Sequence, residues 1–289
     1  GRPAPELVMP EGGTCVPYRL DSVGRGRIMT VPVHIGGNVR DFVFDTGAAQ
    51  FNFVSERFAR ENGIRMIADS IPVAGIGRGW VGLGVADSLA VGGIVMRNPV
   101  FLISPPDQAT DTIEVISAVL GNAFMRKAER FTIDNRTRHI VFPAERTLHA
   151  DGTKRMANMM LNSFQPYVRI HADGIPLLFH FDTGNVATTL YPPYYELFRE
   201  QVDSCGVEDT VRIGGFAGVA ENVCYRLPSV EFTLEGVPFT LRDIDVLPSG
   251  SAGATAGSEA GSLGTDFATA FDTLTVDYTS CTVLGENVP

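Results

Sequence analysis

No apolar stretch of the chain approaches the ~18 residues needed to cross a bilayer. The best candidate, around Val115 to Met125, is short and interrupted by Ser117, Gly121 and Asn122. No membrane span is therefore expected. Lysine is almost missing: Lys127 and Lys154 are the only two, and arginine supplies the rest of the 23 basic residues. Against 33 acidic residues this leaves a net charge of −10, which repels nucleic-acid phosphates and disfavours an anionic membrane surface. The four cysteines, Cys15, Cys205, Cys224 and Cys281, have no C-x-x-C or Cys/His ligand spacing. The five histidines contain no H-E-x-x-H, so neither a metal nor another cofactor is expected. A Gly-x-Ser-x-Gly nucleophile turn is also missing. The even cysteine count permits two disulfides without requiring them. It leans towards an exported (periplasmic or extracellular) protein and leaves the compartment open.

Apolar content is ample. Hydrophobic residues are 44% and charged residues 19% of 289, with 18 Phe and 7 Tyr, enough to fold and to fill about two cores. The dominant pattern is one unit written twice. Val31–Ile35, a Gly36-Gly37-Asn38 turn and Val39–Phe44 read as a hairpin running into Asp45-Thr46-Gly47. Tyr167–His171, an Ala172-Asp173-Gly174 turn and Ile175–Phe181 repeat it, running into Asp182-Thr183-Gly184. A short helix is expected after each: Ser55 caps Glu56–Asn62 with Gly63 as stop, and Pro193 opens a second reaching about Glu200. Val119-Leu120-Gly121 then answers to Ser262-Leu263-Gly264, and each half closes with a strand pair. The reading is an all-β, bilobal fold with a few short helices. Its parts are an N-terminal leader or first-strand region (1–26), a first lobe (27–143), a linker (144–158) and a second lobe (159–289). Ser249–Ser262, rich in Gly, Ala and Ser, reads as a mobile surface loop.

A single Asp-Thr-Gly is an ordinary turn signal, but two copies at equivalent places in a repeated half point to chemistry. Equivalent residues of two lobes packed about a pseudo-twofold axis meet at that axis, so Asp45 and Asp182 can face each other. Two carboxylates that close cannot both ionise; the pair shares a proton, one member activating water and the other polarising a carbonyl. Thr46 and Thr183 supply hydroxyls to lock the loops, and Gly47 and Gly184 allow close backbone approach.

On these motifs, with the two hydrophobic-hydrophobic-Gly elements, the sequence resembles aspartic peptidases of the pepsin and retropepsin clan over about Arg27 to Gly285. Spacing within each half is most similar to bacterial retropepsin-like proteins, here with both halves in one polypeptide as in pepsins. The resemblance implies endopeptidase activity on polypeptides in an inter-lobe cleft, binding of statine-type inhibitors, and a monomer. Ala48 and Asn185 stand where pepsins carry Ser or Thr; Ala is usual in the retropepsin-like branch, and a peptide-binding or regulatory protein with weak turnover is the competing reading because of Asn185 and the unusual flaps. Asn185 could restore the missing donor through its amide. The first flap is expected at Ala74–Val85, offering Gly77, Gly79 and Trp80, with Trp80 reading equally well as a partly buried packing residue, and Phe216 is expected to top a second. Gly77-Arg-Gly79-Trp-Val-Gly82 fits G-x-G-x-x-G, but an alternating strand follows instead of the helix a dinucleotide needs. His180 is expected to point away from Asp182, in a surface or packing role. Phe42, Phe44, Phe179 and Phe181, with Trp80 and Phe216, suggest a preference for apolar residues on both sides of the cut.

Overall fold

The computed structural model describes residues 4–75, 77–105, 117–144, 156–215, 218–249 and 257–288. Among the described residues strands dominate, and no helix is long and apolar enough to cross a membrane. The strands form two large mixed sheets, one per lobe, and a five-stranded sheet that joins them.

The two lobe sheets share one strand order. In the first lobe Gly26–Ile35 pairs antiparallel with Asn38–Phe44, which lies parallel to Ala118–Leu120. Next come Asn52–Ser55, antiparallel, then Val100–Ser104, parallel, then the hairpin Gly77–Val85 with Arg65–Gly75. In the second lobe the sequence is Gln165–Ala172, Ile175–Phe181, Gly261–Leu263, Thr189–Leu190, Val237–Val246, Gly218–Leu234 and Val207–Gly215, with the same alternation of directions. The repeat read from sequence is thus a repeat of topology.

Alternation along the strands fills the cores. Phe42, Phe44, Phe179 and Phe181 are all fully buried. Phe44 packs edge-on against Phe131 at 5.0 Å between ring centroids, and Phe181 against Phe267 at 5.3 Å. Helices sit close to expectation. Ser55 caps Glu56–Glu61, its Oγ accepting from the Phe58 N–H at 3.1 Å, and Gly63 follows with φ of 71°. Pro192–Leu197 begins with proline, and a break at Phe198 separates it from Arg199–Cys205.

The joining sheet draws on both halves, in the order Thr14–Pro17, His139–Phe142, Arg130–Asp134, Thr273–Asp277, Thr282–Glu286. At its centre Thr132 lies opposite Thr275, with hydroxyls 2.8 Å apart, so the approximate twofold axis passes between them.

The N-terminal segment supplies strands: Glu6–Val8 adds to the first-lobe sheet beside Ile94–Arg97, and half-buried Leu7 packs on the core. One expectation needs revision. The end of the Gly/Ala/Ser-rich stretch is no surface loop, because Gly261–Leu263 lies between two second-lobe strands. A Cβ at Gly261 would stand 2.5 Å from the Thr189 carbonyl oxygen, so the strands close around a glycine. All four cysteines are free, and Cys224 is buried with its Sγ 3.6 Å from an Asp245 oxygen. Residues 145–155, most of the expected linker, lie outside the described residues.

Candidate functional site

Each aspartate of the repeated motif follows a strand end and is held by the short strand running parallel to it. The Asp45 N–H donates to the Leu120 carbonyl at 3.0 Å, and the Asp182 N–H to the Leu263 carbonyl at 2.9 Å. The hydrophobic-hydrophobic-Gly elements therefore serve as cradles. Their glycines are required by contact: a Cβ on Gly121 would lie 2.6 Å from the Phe51 carbonyl oxygen, and one on Gly264 would lie 2.7 Å from that of Asn185.

The two loops are clasped reciprocally. The Thr46 N–H donates to Thr183 Oγ1 and the Thr183 N–H to Thr46 Oγ1, each at 3.0 Å. Each hydroxyl then donates across the axis, Thr46 to the Phe181 carbonyl at 2.8 Å and Thr183 to the Phe44 carbonyl at 2.5 Å. Both threonines are fully buried, so every one of these bonds is shielded from water.

This clasp sets each carboxyl against the glycine of the opposite loop. Gly47 N–H and Ala48 N–H donate to one oxygen of Asp45 at 2.7 and 3.1 Å, and Gly184 N–H donates to Asp182 at 2.9 Å. A Cβ on Gly47 would stand 2.2 Å from an Asp182 oxygen, and one on Gly184 2.5 Å from the Asp45 carboxyl carbon. Burial, and after it the neighbouring Asp182 charge, raises the Asp45 pKa well above the ordinary carboxylate value. Burial also raises that of Asp182, against the backbone donors that lower it. Two buried carboxyls whose charges oppose each other do not both ionise readily, so the pair shares a proton and titrates as a unit.

Several supporting residues lie outside the two Asp-Thr-Gly motifs. Asn122 donates to the Thr46 carbonyl at 2.5 Å, and Thr265 donates to the Thr183 carbonyl at 3.1 Å, at the same place in each half. The buried Tyr278 hydroxyl donates to Asn122 at 2.6 Å, and Gln165 donates across to the Gly47 carbonyl at 2.5 Å. The fixed offset between halves could have paired Asn122 with Thr265; nothing local marks Tyr278 or Gln165.

The cleft walls depart from expectation. The four phenylalanines flanking the motifs are core residues and do not line the cleft. The Asn185 amide turns to the Ser262 carbonyl, at 3.5 Å, instead of serving Asp182. Arg65–Gly75 and Gly77–Val85 do form a hairpin at the expected flap, with Gly77 opposite Gly75, Gly79 opposite Val73 and Trp80 opposite Pro72. Trp80 is 61% exposed, so it is no packing tryptophan. Phe216 lies outside the described residues. His180 does not point away: its Nδ1 stands 4.0 Å from an Asp182 oxygen. Residues two apart on a strand share a face, and His180 and Asp182 are two apart. Among the described residues no group of three His, Cys, Asp or Glu side chains could hold a metal ion.

Residues 31–124 match the model of a family described as aspartyl protease, a span that holds Asp45 and ends before the second half begins. No curated protein matches the chain. A solved structure titled "Crystal structure of edgp" is similar over 96% of this chain and 95% of its own, with a TM-score of 0.55 and 12% identity. At that identity the likeness is one of fold.

Proposed function

We propose that this protein is an aspartic endopeptidase that uses Asp45 and Asp182 as its catalytic pair. One observation carries the reading: two carboxyls on reciprocally clasped loops, each set against the opposite loop's glycine and raised in pKa by burial. The singly protonated pair has the two functions amide hydrolysis needs. The ionised carboxylate takes a proton from a water held between the two groups, and that water's oxygen bonds to the scissile carbonyl carbon. The protonated carboxyl donates to the carbonyl oxygen, giving a neutral tetrahedral diol. Proton return to the amide nitrogen then breaks the C–N bond and releases acid and amine.

The family match supports aspartic protease chemistry in the first half, and the shared strand order extends that frame to the second. The likeness to bacterial retropepsin-like proteins, the monomeric state and the binding of statine-type inhibitors belong to the same proposal. Apolar contacts to substrate would come from the flap hairpin, where Met66, Ile67 and Trp80 are exposed. Asp45→Asn and Asp182→Asn should each remove nearly all cleavage of a diverse peptide library while keeping the wild-type circular dichroism spectrum. Near wild-type turnover in either variant would contradict the assignment. A peptide-binding role without useful turnover is the second reading, favoured by Ala48 and by the Asn185 amide turned from the pair. Wild-type protein that binds peptides and leaves them uncut from pH 3 to pH 8 would establish it.

A further inference from the structure

Each motif loop is touched by a hairpin tip from the opposite half, and the two tips differ. In the first half Arg19–Val23 pairs with Gly26–Ile35, and the tip rests on the second motif loop, where the Arg27 N–H donates to the Val186 carbonyl at 3.1 Å. A Cβ on Gly26 would stand 2.2 Å from that oxygen. In the second half Met159–Asn162 pairs with Gln165–Ala172, and the tip crosses to the first motif loop, where Gln165 Nε2 donates to the Gly47 carbonyl at 2.5 Å. The position equivalent to Gln165, 137 residues earlier, is Ile28, buried and without a polar side-chain atom. The first motif loop therefore receives a side-chain donor where the other hairpin offers only hydrocarbon.

The turn that delivers Gln165 is strained. Ser163 and Phe164 occupy its two central positions with φ of 51° and 70°, the left-handed region that two-residue hairpin turns usually fill with Asn and Gly. A bulky side chain is unfavourable there. Core packing does not offset the strain, because Phe164 is 39% exposed. Its ring instead faces the Arg126 guanidinium, 4.3 Å from the centroid, on the first-half helix Asn122–Ala128. Phe164 and Gln165 thus both make their contacts with the other half.

The Gly47 carbonyl and the Ala48 N–H belong to one planar peptide and point to opposite sides of it. On one side stands the Gln165 amide, and on the other an Asp45 oxygen 3.1 Å from the Ala48 nitrogen. Gly47 must be glycine, since a Cβ there would stand 2.2 Å from Asp182, and glycine leaves this peptide most free to rotate. The Gln165 bond removes that freedom. By drawing charge to the carbonyl oxygen it also makes the Ala48 N–H a stronger donor. In the second loop the matching N–H, that of Asn185, donates at 3.0 Å to the Asp182 main-chain carbonyl.

We infer that Gln165 is a positioning residue for the carboxyl pair: from the second half it locks the Gly47–Ala48 peptide with its N–H on Asp45, and so makes the two carboxyls unequal. The catalytic use of the pair rests on the peptidase reading; the hold on Asp45 does not. Also facing the pair or its supports are His180, with Nδ1 4.0 Å from Asp182, Tyr167 beside it, Arg126 and Tyr278. Gln165 is uncharged, so an uncharged replacement leaves the charges of all these groups as they are.

Gln165→Met keeps the length of the side chain and removes the donor, and Gln165→Lys restores a donor. Carbon-13 NMR of aspartate-labelled protein reads the carboxyl titration without any substrate, with Asp45→Asn and Asp182→Asn assigning the signals. In Gln165→Met the weakened N–H stabilises the charged pair less, so the titration should rise by about half a pH unit. Gln165→Lys should return it to the wild-type position or below. In cleavage assays Gln165→Met should lower kcat about fivefold with KM within about twofold, and the kcat/KM bell should move up with the titration. A residue that only stabilised the fold would lower the urea midpoint and leave the titration in place. If Gln165→Met does not fold, Phe164→Gly carries the test: it relaxes the turn, keeps the amide, and should move the titration part of the way. An unmoved titration in the folded variant, or the same upward shift in the Met and Lys variants, would overturn the inference. A shifted titration in a protein whose wild type cleaves nothing upholds the hold on Asp45 and sinks the peptidase reading; wild-type cleavage with an unmoved titration does the reverse.

Discussion

At the scale of single residues the pair of aspartates sets the operating pH. Replacing a hydroxyl donor by Ala48 leaves only backbone N–H groups on Asp45, and burial raises both carboxyls. The active form carries one proton. Raising both pKa values therefore moves the acidic and the alkaline limbs of kcat/KM upward together. A bell centred in mildly acidic to near-neutral conditions is expected; an optimum near pH 2, on protein shown by circular dichroism to stay folded there, would contradict it. Alternation also explains what single residues concealed. The two aspartates were legible because a repeated motif carries them. Phe44 precedes Asp45 by one residue and so must face the opposite way, into the core, and Phe42 follows it there. The same arithmetic puts His180 on the side of Asp182. Period two was sufficient to decide all three.

At the scale of elements, the hairpins, the helix caps and the two cradle strands could be read from turn residues and apolar runs. The bonds between elements could not, because they join residues far apart in sequence. The Thr46–Thr183 clasp spans 137 residues, and Tyr278 reaches Asn122 across 156. Mutation should expose the clasp's role. Thr46→Ala removes the donor to the Phe181 carbonyl and leaves the buried Thr183 N–H without an acceptor. Stranding that group costs about 1–3 kcal/mol. Urea unfolding should show a loss of that size, and cleavage should fall further because the carboxyls lose their fixed separation. Thr46→Ser keeps the hydroxyl and should recover most of both. Equal stability of the Ala and Ser variants would mean that the hydroxyl bonds contribute nothing.

At the scale of the whole molecule, the chain supplies both halves of its proposed site, so specific activity should not change on dilution. The sheet that joins the lobes carries a further consequence. Its first three strands come from residues before 144 and its last two from residues after 156. Two of those strands, Arg130–Asp134 and Thr273–Asp277, run side by side across the axis with Thr132 against Thr275. The halves are therefore held together by a shared interface as well as by peptide bonds. A gene divided between these two groups of strands encodes two pieces, each bringing one carboxyl, one clasp threonine and one side of the central strand pair. Co-expressed, they should find each other and restore cleavage, and dilution should now abolish it with the affinity of the pair. The joining sheet is in that sense a ready-made seam, along which one enzyme can be converted into a sensor for the proximity of two other proteins.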